Sequence, residues 1–244
     1  MELITFKIIL VLALFLLALT IAASSTWAER KVAAVMQDRI GPSKAGPFGL
    51  LQPLADGGKF FFKEDFTPAN AEKFLFILGP SLVMFISLIT GAVIPWGKSL
   101  NIGGTSFDLQ VANIDVGVLY IIGMASIGVY GIMIGGWASN NKYSLLGAIR
   151  ASSQMISYEL AMGLALLSII MMSGSLDLKV ITESQATGKL WGLISLDGMN
   201  WNIFYQPLAF LIFIIAALAE TNRHPFDLPE CESELVTGYS TEYS

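Results

Sequence analysis

The chain has 244 residues, 54% of them hydrophobic and 14% charged, with a formal net charge of −5. Its mean hydropathy is +0.65. A surface so poor in charge excludes an ordinary water-soluble domain and predicts an all-α polytopic integral membrane protein.

A helix needs ~20 apolar residues to cross the hydrocarbon core, and five stretches approach that length. In chain order they are Ile4 to Trp27, Phe74 to Trp96, Val116 to Trp137, Leu145 to Met172 and Ile203 to Ala219. The last is the shortest and requires Glu220 at or inside the interface. Trp27, Trp96, Trp137 and Trp201 end apolar runs, and Trp191 lies in a short polar connection. An amphipathic indole favours the headgroup level, so these rings mark membrane edges.

The first stretch resembles a signal peptide in carrying Lys7, a long apolar run and small residues at Ala22, Ala23 and Ser24. Glu2 cancels Lys7, however, and the flank Glu29-Arg30-Lys31 is more basic than the flank before the run. That charge order argues for a retained helix. With five spans the polar segments alternate sides. One side then holds Arg30, Lys31, Arg39, Lys44, Lys59, Lys63, Lys73, Lys142, Arg150 and Arg223, the other only Lys7, Lys98, Lys179 and Lys189. The positive-inside rule puts segments 28–73, 138–144 and 221–244 in the cytoplasm and the N-terminus outside.

The loop from Glu29 to Asp65 is too apolar for a solvated linker. Leu50, Leu51, Leu54, Phe60, Phe61 and Phe62 alternate with Pro/Gly turns and with Arg39, Lys44, Lys59 and Lys63. Phe60 to Lys63 reads as a short amphipathic segment on the membrane surface. It is either an interfacial anchor or the place where an amphiphilic ligand lays its tail on the phenylalanines and its head near the charges. Thr67-Pro68 has the pattern of an N-cap with proline at the first helical position, and Pro80 is expected to kink the second span. Asp115 and Ser144 are expected caps for the third and fourth. Gly131 and Gly135 form a GxxxG step suited to close helix packing.

Two regions carry ionisable groups where a bilayer solvates them poorly. Glu159 lies deep in the fourth span. Arg150, nine residues earlier, falls on the opposite face and ~13.5 Å away along the axis, so the two are not an obvious ion pair. Ser152, Ile156 and Gly163 are expected on the Glu159 side. After the fifth span comes AETNRHPFDLPECESELVTGYSTEYS, with Glu220, Asp227, Glu230, Glu232, Glu234 and Glu242. Carboxylates at such depth mark an ion or proton pathway, or a polar partner, more often than a satisfied structural carboxyl. Cofactor chemistry within the chain is poorly supported. Cys231 is the sole cysteine and His224 the sole histidine, and neither phosphate-cradling nor dinucleotide-binding glycine motifs occur.

Three segments together, RIGPSKAGPFGLLQPLADGGKFFFKED, RASSQMISYE and ETNRHPFDLPECESELVTGYSTEY, resemble in content and order the signatures of a known family. It is the quinone-site membrane subunit of respiratory complex I, the bacterial NADH:quinone oxidoreductase. Ser43-Lys44-Ala45 and Cys231 are small departures from the family pattern. The family continues past the last signature with further membrane helices, so the resemblance implies an N-terminal fragment.

The resemblance implies that partner subunits hold FMN and iron–sulfur clusters, while this chain binds no cofactor alone and meets quinone as substrate. It implies partnership with the peripheral-arm quinone-site subunits, the membrane-arm subunits and the lipid bilayer of a bacterial inner membrane rather than a mitochondrial one, and no nucleic-acid partner. Arg30, Arg39, Asp56, Lys59, Phe60 and Lys63 map onto the quinone chamber. Glu159, Glu220, Asp227, Glu230, Glu232 and Glu234 map onto a proton path coupling quinone reduction to proton translocation. No complete active site lies in this chain. Two alternatives are an ion-coupling subunit of a related membrane-bound hydrogenase, which need not keep the first loop, and a stand-alone ion transporter, which would be expected to show internal repeats.

Overall fold

The computed structural model describes residues 2–64, 66–102, 105–186, 200–223, 225–227 and 238–243. The chain divides into two compact units, Met1–Phe66 and Thr67–Ser244.

In the first unit, helix α1 spans Glu2–Met36. It overruns the expected end at Trp27 because Ala, Glu, Arg, Lys and Met after that point are all good helix formers. It stops where Asp38 takes the left-handed conformation at φ 50. Arg39 N then donates to Ala34 O at 2.9 Å and Asp38 N to Val35 O at 3.3 Å, the paired bonds of a Schellman ending. The following turn depends on Gly49, whose φ is +77 and whose Cβ, if present, would lie 2.2 Å from Pro42 O. Helix α2, Gln52–Phe61, starts earlier than the predicted surface segment and leaves Phe62 and Lys63 beyond its end.

The second unit is a helical bundle. Helix α3 spans Lys73–Thr90 with Pro80 inside it. Its N-cap is Glu72 rather than Thr67, and Glu72 N donates to Ala138 O at 3.0 Å. A two-stranded antiparallel hairpin follows, which the hydropathy pattern did not announce. Strand β1, Ser99–Ile102, pairs with β2, Thr105–Asp108, in the register Leu100↔Phe107. Helix α4, Gly117–Ala138, has Val116 at its N-cap in place of the expected Asp115. Helix α5, Lys142–Ser173, is capped by Asn141, whose side chain accepts from Tyr143 N at 3.0 Å. Ser144, the expected cap, is buried instead and donates to Tyr239 O at 2.9 Å. Three residues therefore join α4 to α5, helped by Asn140 in the left-handed region at φ 50.

Helix α6, Leu178–Ala186, precedes the short α7, Asn202–Tyr205. The fifth apolar run is divided, because Gln206 leaves helical geometry at φ −133, ψ 61 and Pro207 opens a new helix, α8, Pro207–Glu220. Among the described residues, four helices are long and apolar enough to cross a membrane, Ile4–Met36, Lys73–Val93, Gly117–Ala138 and Lys142–Ser173, while Pro207–Glu220 is a shorter apolar helix. Most of their large side chains face outward, such as Leu16, Phe85, Leu164 and Leu208, which suits lipid or other apolar partners and not water.

The most deeply buried positions of the bundle are mostly small residues. Ala148, Ala151, Ala216 and Ala219 are buried. Gly79 on α3 meets Gly131 and Gly135 on α4 so closely that a Cβ at position 79 would lie 2.9 Å from Gly131 O and 3.0 Å from Gly135 Cα. The GxxxG step thus packs helix against helix, as small-residue seams do in membranes.

Candidate functional site

Each unit gathers a different set of charged side chains. In the first, α1 continues past Trp27 and so presents Arg30 toward α2. Arg30 Nη1 meets Asp56 Oδ2 at 2.5 Å, Lys59 Nζ lies 3.3 Å from Asp56 Oδ1, and Gln52 Nε2 donates to Asp56 Oδ1 at 3.0 Å. The Arg30 guanidinium beside Asp56, followed by the Gln52 amide and the Lys59 ammonium, holds its carboxyl below the ordinary value despite some desolvation. Asp56 therefore remains an anion at neutral pH. Spacing explains the cluster, since Gln52, Asp56 and Lys59 are four and three residues apart on one helix face.

Arg30 and Gln52 also line a polar cavity of about 530 Å³ with Arg39, Ile40, Gly41, Pro42, Ser43 and Lys44. Arg39 Nε donates to Gln37 Oε1 at 2.7 Å. Phe60, Phe61 and Phe62 are exposed, with Lys63 beside them. Of the predicted chamber residues, Arg30, Asp56 and Lys59 are bonded together, Arg39 shares the cavity with Arg30, and Phe60 and Lys63 are outside its lining. Gln52 was missed; its (i, i+4) relation to Asp56 was the available signal.

In the second unit, Glu159 is half-buried on α5 and accepts a hydrogen bond from Ser126 Oγ on α4, a hydroxyl that also approaches Ile122 O at 3.1 Å. Ser152 is buried with Met155 one turn before Glu159, whereas Ile156 is 49% exposed and so does not share that interior side. Glu220, the last residue of α8, lies within electrostatic range of Glu159. Glu220 Oε2 is buried and, among the described residues, has no hydrogen-bond partner. It borders a cavity of about 570 Å³ walled by α3, α4, α5, Thr221, Asn222 and the 239–243 segment.

Glu220 is placed there by the way α8 ends. Asn222 takes the left-handed conformation at φ 47, with Arg223 N on Leu218 O at 3.0 Å and Asn222 N on Ala219 O at 3.3 Å, again a Schellman ending. The chain turns back along α5, where Gln154 Nε2 donates to Phe226 O at 2.8 Å and Tyr158 meets the Phe226 ring edge-on at 5.0 Å. Asp227 follows in this held stretch. Glu230, Glu232 and Glu234, with Cys231 and His224, lie outside the described residues. Sequence reasoning missed Ser126 and Gln154. Ser126 is one small polar residue in a glycine-rich apolar run, and its partner sits on another helix, so no periodicity within the run could reveal it.

The fold and these sites define a class: a helical membrane protein that keeps carboxyl groups inside its bundle and an ion-paired cluster beside a long apolar helix. The NADH dehydrogenase family model matches residues 7–244, and the chain belongs to that family. The first of the H-type subunits of NADH-quinone oxidoreductase from Cytophaga hutchinsonii is 60% identical over 238 residues, covering 98% of this chain and 66% of that protein. The H-type subunit of NADH-quinone oxidoreductase from Flavobacterium psychrophilum is 58% identical over 98% of this chain and 66% of its own length. The Flavobacterium johnsoniae protein of that name is 56% identical over 98% and 65%. The chain thus spans just under two thirds of the length of these curated relatives.

Proposed function

We propose that this chain is a membrane subunit of a proton-translocating NADH:quinone oxidoreductase, in which it forms part of the quinone chamber and couples quinone reduction to proton movement. The observation that carries the reading is the pair Glu159 and Glu220. Both sit in an apolar bundle, one held by a neutral hydroxyl, the other beside a cavity and with a buried oxygen that has no hydrogen-bond partner among the described residues. Ionisable groups kept at such cost serve a pathway more often than a scaffold. Asp227, Glu230, Glu232 and Glu234 extend the acidic route along the chain. In the first unit, Arg30, Arg39, Asp56 and Lys59 offer a quinone headgroup fixed donors and charges, and Phe60 to Phe62 offer its tail an apolar face.

In this reading FMN and iron–sulfur clusters belong to partner subunits, and electrons reach quinone from them. The chain's own groups bind and orient quinone and hold or pass protons. The protein lies in a bacterial inner membrane with segments 28–73, 138–144 and 221–244 on the cytoplasmic side, a placement supported by the distribution of Lys and Arg.

The deciding experiment uses the full-length assembled complex in membrane vesicles. Glu159→Gln preserves shape but fixes the neutral state, so NADH:quinone turnover and proton transfer should fall together by about tenfold or more. NADH oxidation by an artificial acceptor at the flavin should persist. Wild-type rates of quinone reduction and pumping in this variant would reduce Glu159 to a structural carboxyl.

A further inference from the structure

Pro80 lies inside α3. It has no backbone N–H, so the carbonyl four residues earlier, that of Phe76, is denied its helical donor. Phe76 is buried, where an unpaired carbonyl is costly. The gap is filled from outside the helix: Tyr243 Oη donates to Phe76 O at 2.9 Å. The Tyr243 ring lies flat on the Phe76 ring, with centroids 4.1 Å apart and planes within 6°. Room for it comes from Gly135 on α4, where a Cβ would stand 2.9 Å from Tyr243 Oη. Burial pushes the Tyr243 phenol up from its ordinary value, so it stays protonated and remains a donor at neutral pH.

The contact holds more than one ring. Tyr239, Ser240 and Tyr243 wall the Glu220 cavity. The same segment is tied to the start of α5 by Ser144 Oγ on Tyr239 O at 2.9 Å and by Asn141 Nδ2 on Glu242 Oε1 at 2.6 Å. Tyr243 is its tie to α3.

We infer that Tyr243 is a positioning residue: its hydroxyl supplies the hydrogen bond that Pro80 withholds from the Phe76 carbonyl, and this latches segment 238–243 in place as a wall of the Glu220 cavity. A proline gap makes the docking specific. Any other carbonyl in the middle of α3 has its own helical N–H, whereas this one rewards an outside donor. The consequence for turnover rests on the function proposed above; the latch itself does not.

The test is a mutant cycle in the full complex, with Cys231→Ser and Thr241→Cys as background and an impermeant maleimide as probe. Tyr243→Phe keeps the ring stacked and removes only the donor. It should raise the labelling rate at position 241 by about tenfold and lower the kcat of NADH:quinone turnover while leaving the KM for quinone unchanged. Pro80→Ala returns an N–H to α3, and in that background the effect of Tyr243→Phe on labelling should shrink to about twofold or less. An equal rise in both backgrounds, or no rise in either, overturns the latch. The expected labelling cycle with kcat and KM both unchanged overturns the positioning role. Absence of quinone reductase activity in the wild-type complex would instead sink the proposed function, and the labelling cycle would still decide the latch.

Discussion

The close approach of α3 and α4 makes a sharp prediction about Gly79. A Cβ there would face two backbone atoms, Gly131 O at 2.9 Å and Gly135 Cα at 3.0 Å. Backbone cannot rotate away as a flexible side-chain end can, so α3 and α4 must separate. Restoring ordinary contact near 3.5 Å needs a shift of ~0.5 Å, which already forfeits about a quarter of the dispersion energy along the seam. Overpacking of this kind costs about 1–3 kcal/mol. Replacing glycine by alanine in a helix returns up to about 1 kcal/mol, which leaves a net loss of up to about 2 kcal/mol. Gly123 on α4 is the internal control, because no described atom lies within 4 Å of a Cβ built there. Gly79→Ala should lower the assembled amount of the full-length complex in membranes and its thermal midpoint, while Gly123→Ala should leave both unchanged or slightly raised. Quantitative blotting of native gels and heat-inactivation curves measure the two. If Gly79→Ala assembles and melts like Gly123→Ala, the seam is not the tight contact described and the argument fails.

In the first unit, Arg30→Ala removes the closest partner of Asp56 and should act through ligand affinity. The apparent KM for quinone should rise severalfold with a smaller change in kcat, whereas an effect on kcat alone would contradict a chamber role. Lys179 gives a pH test. Its hydrogen bond from Nζ to Asp108 Oδ2 at 2.9 Å raises its pKa above the ordinary 10.5. The favourable contribution is thus complete below 10.5 and lost only as pH rises through the higher folded value. Acylation of Lys179 should therefore need a higher pH than acylation of a free lysine side chain, a difference that Asp108→Asn should shrink, because Glu183 and Asp177 still favour the ammonium. Membrane topology can be read by single cysteines at Ser43 and Ser184 in a Cys231→Ser background. An impermeant thiol reagent on intact cells should label position 184 and spare position 43; the reverse pattern would invert the proposed orientation.

Legibility from sequence followed the range of the interactions involved. The long apolar runs gave α1, α3, α4 and α5 because length and hydropathy are local properties. Helix ends were less legible. α1 ran on to Met36 because a polar flank of good helix formers carries no stop signal, and Asp38 in the left-handed region looks like any aspartate. Thr67, Asp115 and Ser144 had the chemistry of caps, yet Glu72, Val116 and Asn141 hold those places. The competing demand is visible for Ser144, whose hydroxyl is taken by Tyr239 O. The carboxyl positions were legible because charge in an apolar run stands out whatever its partner. Their partners were not, since Ser126 and Glu159 are 33 residues apart; nor was the bond of Tyr243 to the Phe76 carbonyl, 167 residues away.

The two units treat their carboxyl groups in opposite ways, and the difference assigns them different work. Asp56 is surrounded by Arg30, Lys59 and Gln52, and those neighbours hold it ionised. A group fixed in one protonation state is suited to aligning a polar ligand and unsuited to carrying a proton, because the bound cation would have to leave first. Glu159 takes its hydrogen bond from a neutral serine, and Glu220 borders a cavity of about 570 Å³ while its buried Oε2 has no hydrogen-bond partner among the described residues. A neutral donor can bond either form of a carboxyl, so a proton can arrive or leave without breaking an ion pair. On the proposed function, the site that holds charge constant and the sites that pass protons are thus built from different partners, cations in one unit and a hydroxyl and cavity in the other. Exchanging the partner should exchange the behaviour. Ser126→Lys would place an ammonium beside Glu159; if the proposed function holds, proton transfer in the assembled complex should then fail while quinone binding, which that function gives to the first unit, remains intact.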